Sequence, residues 1–133
     1  MALWGASDAD ESKPKNLTTA EKKEVFATAS GWVREAGSIL SGNGNVNADP
    51  EVLVAISGLA VSIGAADVTE VEWITTTADK SAGFTLSIRV RYNEAVTVTG
   101  NPTLAVTNGN QGSGSGRGPH TLVYASGSGT NEL

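Results

Sequence analysis

The chain has no cysteine, one histidine, one methionine and few aromatics: three Trp, two Tyr and two Phe among 133 residues. Without cysteine there is no disulfide framework, no thiol nucleophile and no Cys-built zinc or iron–sulfur site. A single histidine leaves a His-based triad or a multi-His metal site without a second member. No window approaches the roughly 20 consecutive apolar residues of a membrane span. The opening Met1-Ala2-Leu3-Trp4-Gly5 turns acidic with no basic start and apolar run behind it, so a secretory signal is not expected. Charged residues are also sparse at 17%, and 9 Lys+Arg against 14 Asp+Glu leave a net charge of -5. That balance opposes nucleic-acid phosphates and anionic lipid surfaces as partners.

What the chain has in quantity is glycine, 16 residues, with β-branched residues in short runs between turns. Composition divides it into an extended N-terminal arm at 1–16, a small attachment region with a β-hairpin at 17–64, and a sandwich region at 65–133. The arm holds one apolar pair, Leu3-Trp4, before the polar Ser7–Lys15, which has neither helical nor strand periodicity. A Trp on such an arm folds back or anchors an interface.

In the second region Thr18-Thr19-Ala20-Glu21 has the spacing of a capping box. Val25–Arg34 reads as one β-leaning stretch and Glu51–Ser57 as another, with the turn cluster Gly42–Pro50 between them, which predicts an antiparallel pair. From Ala65 the strand signal strengthens. Phe84, Leu86, Ile88, Val90 and Tyr92 alternate with Thr85, Ser87, Arg89 and Arg91, the pattern of a half-buried antiparallel strand. Val71–Thr75, Ala95–Thr99, Thr103–Thr107 and Thr121–Ala125 are further short strands, recurring at intervals that predict a sandwich. Arg89 and Arg91 are expected to pair across the sheet with Glu70 and Glu72.

Candidate chemistry yields to simpler readings. The Gly109–Gly118 stretch lacks the Lys-Ser/Thr of a phosphate-binding loop and precedes a strand, so it reads as a surface connection with Arg117 at its tip. Asn43, Asn45, Asn47 and Asp49 alternate as calcium ligands do, but Ala48 and Val54 stand where an EF-hand needs Gly and Glu. His120, between Pro119 and a strand, has no catalytic partner. No nucleophile, base and oxyanion site assemble, and no cofactor or metal is expected; the chain is not expected to be an enzyme. Tyr92, Tyr124, Trp32 and Trp73 would suit a sugar-stacking platform, but their strand positions make most of them core candidates.

Val90–Leu104, with "Tyr92-Asn93-Glu94-Ala95-Val96-Thr97-Val98-Thr99-Gly100-Asn101-Pro102-Thr103-Leu104", and the following Tyr124-Ala125-Ser126-Gly127-Ser128-Gly129-Thr130 resemble a bacterial immunoglobulin-like repeat. The resemblance covers about the last half and implies a mainly β fold, an immunoglobulin-like antiparallel sandwich. In such repeats further strands follow the Gly-Ser turn, whereas this sequence ends at Leu133. Truncation is the expectation, and strand pairing from another subunit is the alternative. Met1–Gly5, Asp8–Lys15, Gly31-Trp32-Val33 and Glu51–Ile56 are similar to small virion structural proteins of marine cyanobacterial myoviruses. Together these resemblances imply a non-enzymatic component of a tailed-phage virion, assembled in the host cytoplasm. The expected role is head decoration in multiple copies, in contact with the major capsid protein or other virion proteins. A neck, tail or fibre-associated adhesion module binding host-surface glycan is the alternative. The expected partner-binding residues are Leu3, Trp4, Trp32 and Arg117.

Overall fold

The computed structural model describes residues 13–14, 16–79, 81–107 and 120–133. The Leu3-Trp4 arm and the whole glycine-rich connection Gly109–Gly118, with Arg117, lie outside them. Among the described residues no helix is long and apolar enough to cross a membrane.

The capping box forms. Thr18 Oγ1 accepts from the Glu21 amide at 3.3 Å while Glu21 Oε2 accepts from the Thr18 amide at 2.8 Å, opening helix α1 (Thr19–Lys23). Five residues cannot hold a helix alone. Arg34, 3.0 Å from Glu21, fastens it to the sheet.

Val25–Arg34 is not one strand. It breaks at Ala29-Ser30 into a tight hairpin, β1 (Val25–Thr28) and β2 (Gly31–Arg34), in register from Val25 opposite Arg34 to Thr28 opposite Gly31. Thr28 Oγ1 accepts from the Ser30 amide at 3.1 Å and donates to the Gly31 carbonyl at 3.2 Å, so a β-branched residue closes the turn. Gly31 has φ 131, and a Cβ there would stand 2.0 Å from the Val54 carbonyl oxygen; only glycine admits β3 (Glu51–Ala55) alongside β2. The expected pairing of the first region with Glu51–Ser57 is therefore present, through β2, with a bulge between Trp32 and Val33. A single turn of helix, α2 (Leu59–Ser62), follows and sets Leu59 on the core.

The second half supplies β4 (Val68–Trp73), β5 (Ile88–Val96), β6 (Thr103–Val106), β7 (His120–Val123) and β8 (Thr130–Glu132). β5 runs straight through Asn93-Glu94 into the stretch expected as a separate strand. The cause is Asn93, only 1% exposed: its backbone amide donates to the Asp67 carbonyl at 3.0 Å and its Oδ1 accepts from the Asp67 amide at 2.8 Å. Phe84–Ser87 lies outside the strand; instead Thr75 and Ser87 close the β4–β5 loop, with the Ser87 amide on Thr75 Oγ1 at 2.9 Å.

The result is mainly β and sandwich-like, with a six-stranded mixed sheet in the order β3-β2-β1-β5-β4, β8 also on β5, and a separate two-stranded sheet of β6 and β7. The sheet crosses from the 17–64 region into the 65–133 region by one parallel bridge, Ala27 opposite Glu94. Its apolar core lies in the first of these: Val25, Ala27, Trp32 and Leu59, with Leu17, Leu53, Val54, Ile56, Ala60 and Ile63 packed around them.

Candidate partner-binding face

Antiparallel register fixes which side chains share a face of β4–β5. Glu70 lies opposite Arg91 and Glu72 opposite Arg89; the intervening positions pair Val71 with Val90 and Trp73 with Ile88. One face is thus charged and the other apolar.

The charged face is the covered one. Arg91 is 7% exposed. It stands 2.7 Å from Glu70, 3.2 Å from Glu72, 2.7 Å from Glu132 on β8 and 3.4 Å from Glu35 just beyond β2. Asn131 Nδ2 donates to Glu35 at 2.7 Å, Lys23 meets Glu70 at 2.6 Å, and Arg89 meets Glu72 and Glu132, each at 3.6 Å. Lys13 is buried beside this group and donates to the Lys22 carbonyl at the end of α1. The cross-strand pairing of Arg89 and Arg91 with Glu70 and Glu72 was legible in the alternation. The convergence of Glu35 and Glu132 on the same guanidinium was not, because they come from distant segments.

Burial sets the ionisation here. Desolvation alone would lower the Arg91 guanidinium, but the carboxylates of Glu70, Glu35 and Glu132 outweigh it and raise its pKa. Desolvation would raise Glu70, yet hydrogen bonds from Lys23 and Arg91 hold it below the usual carboxylate range. Glu35 moves up: burial dominates, and the neighbouring Glu132 charge adds to it against the pull of Asn131 and Arg91. Burial lowers Lys13 to about 8. A group of this kind locks strands together, since removing one partner strands the others without water.

The apolar face is the open one. Val68 is 55% exposed, Val71 58% and Trp73 51%, with Ile74 and Phe84 also exposed. Val68, Val71 and Ile74 border a cleft of about 920 Å³ between β4–β5 and the β6–β7 sheet, which Ile88, Val90, Tyr92, Leu104 and Leu122 also line. Single exposed apolar residues need no explanation, but a row of them on one face beside a largely apolar cleft marks an interaction surface.

The other sequence candidates do not gather into a site. Asn43 Oδ1 accepts from the Asn45 amide at 3.1 Å and Asn45 Oδ1 from the Asn47 amide at 3.0 Å, so these oxygens hold their own loop. His120 is exposed at the start of β7. Among the described residues no group of three or more acidic or histidine side chains is placed to hold a metal.

Of the expected partner-binding residues, Leu3, Trp4 and Arg117 fall outside the described residues. Trp32 requires correction: at 1% exposure it is the largest buried side chain, packed with Val25, Ala27 and Leu59, and it offers no surface to a partner. Its side of β2 is the one on which Leu59 of α2 packs, which makes it core. Of the two described tryptophans, Trp73 is the exposed one. Its spacing from Val71, two residues along one strand, puts the two on one face, but nothing in the spacing marks that face as the open one. Comparison of the chain with protein-family models, curated proteins and solved structures finds no match.

Proposed function

We propose that the chain is a non-enzymatic structural component of a tailed-phage virion, a head decoration protein that attaches through its Leu3-Trp4 arm and the open face of β4–β5. One observation carries the assembly part of this reading: the sheet gathers its charged side chains around the buried Arg91 and leaves Val68, Val71 and Trp73 exposed, the first two bordering a cleft. An isolated protein gains nothing from that arrangement, whereas a neighbouring subunit laid on the face removes apolar area from water. The particle itself comes from the resemblances to immunoglobulin-like repeats and cyanophage virion proteins. The acidic balance suits the outside of a DNA-filled shell better than its interior.

A second reading has its own support. Tyr92 and Tyr124 line the cleft and Trp73 is half exposed on β4, and exposed aromatic rings are what sugar stacking needs. On that reading the chain is an adhesion module at the neck, tail or a fibre, acting on host-surface glycan. Copy number per particle, measured by quantitative mass spectrometry of purified virions, separates the two: many copies support decoration, and a few copies support adhesion. Trp4→Ala should strip the protein from particles while leaving its fold intact; undiminished occupancy counts against attachment through the arm.

A further inference from the structure

We propose that the outer edge of β4 receives an extended strand from a partner protein whose side chains alternate between apolar residues, directed to the cleft, and Lys or Arg, directed to the Glu70–Glu72 side. This rests on the assembly reading above and names the occupant of the open face.

β4 ends the six-stranded sheet, and among the described residues its only partner strand is β5. An edge of six residues offers backbone donors and acceptors to any extended chain, which then lies about 4.8 Å away in the plane of the sheet. A strand added there sets alternate side chains beside Val71 and Trp73, next to the cleft that Val68 and Val71 border. At the opposite end of the sheet the cavity beside β3 is smaller, about 250 Å³, and meets the strand at Glu51.

Charge decides between a second copy and a different partner. Pairing β4 with its own copy, with apolar residues kept on the apolar face, puts Glu70 and Glu72 across from Glu70 and Glu72. Like charges directly opposite destabilise a sheet. Two chains of net charge -5 add repulsion at longer range. A basic residue at the same place gains an acceptor instead: Glu72 meets Arg89 and Arg91 through Oε2 alone, and its side chain is 42% exposed. The apolar positions of the partner supply the burial, and its basic positions set the register.

The test uses the whole chain and three short synthetic peptides: one alternating Lys with Val and Ile, the same peptide with Glu for Lys, and the Lys peptide N-methylated so that its backbone cannot pair. Hydrogen exchange of the β4 amides and Trp73 emission are followed on titration. The Lys peptide should protect β4 and bind about tenfold more tightly than the Glu peptide, the N-methylated peptide should fail, and Glu72→Gln should narrow the preference without unfolding the protein. Equal binding of all three peptides, absence of β4 protection, or a self-associated dimer with β4 protected would each overturn the proposal. The particle role is read separately. Virions carrying the chain with a bare β4 edge would sink the strand and spare the role, and virions lacking the chain would sink the role whatever the peptides do.

Discussion

Arg91 and Glu70 face each other across β4–β5 at 2.7 Å, and one residue along from Glu70 the side chain of Val71 stands open to solvent. The strand pair is charged on its covered face and apolar on its uncovered one. Burying ions costs several kcal/mol each unless every partner is present. Here Glu35, Glu70, Glu72 and Glu132 surround one guanidinium, and the cluster joins β8 and the segment after β2 to the β4–β5 pair.

Arg91→Met should therefore destabilise the fold by about 3–5 kcal/mol, since it leaves several carboxylates without their shared cation. Urea unfolding measures it. Adding Glu70→Gln to Arg91→Met should recover part of the loss, because one uncompensated charge is gone; a single-variant cost below about 1 kcal/mol would show the cluster to be solvated, as surface ion pairs are.

Lys13 gives the fold a pH dependence of known sign. Burial takes its ammonium from 10.5 down to about 8; Glu35 and Glu70 oppose the shift, and Arg91 and Lys22 add to it. Below pH 8 the group is charged folded and unfolded, and the folded state carries the whole desolvation cost. Between pH 8 and 10.5 the unfolded chain holds more protons, so stability rises with pH. Lys13→Met should be more stable than the parent at pH 7 by an amount on the order of 3 kcal/mol, with the gap closing by about pH 10.5. Stability curves of both proteins against pH check this, and parallel curves would contradict it.

The two strand tryptophans should behave oppositely. Trp32→Ala empties the core and should cost about 3–5 kcal/mol, whereas Trp73→Ala, on the open face, should cost under about 1 kcal/mol while weakening attachment to the particle. Denaturation midpoints and particle occupancy of the two variants measure both effects.

Much of this architecture was readable from residue order. The capping box at Thr18 and Glu21, the turn cluster between β2 and β3, and the pairing of Arg89 and Arg91 with Glu70 and Glu72 follow from local spacing, and local spacing is what a sequence displays. The hairpin turn at Ala29-Ser30 carried one cue, the Ser30-Gly31 pair, but that lay inside an otherwise β-leaning run, and the turn itself is made by the side-chain hydroxyl of β-branched Thr28. Asn93 was hidden: it looks like a turn residue and serves as a buried brace to Asp67. Trp32 and Trp73 sit in similar strand patterns, and only the packing of distant residues such as Leu59 on the face of β2 makes one core while the other stays exposed. Alternation gives two faces to a strand without telling which of them the rest of the chain will cover.

A cryo-EM map of the assembled virion tests the central claim most directly. The account predicts this chain on the particle exterior with density from a neighbouring subunit laid over Val68, Val71 and Trp73. A map in which the chain is present and those three side chains face bulk solvent, or one in which the chain is absent from the particle, would contradict it.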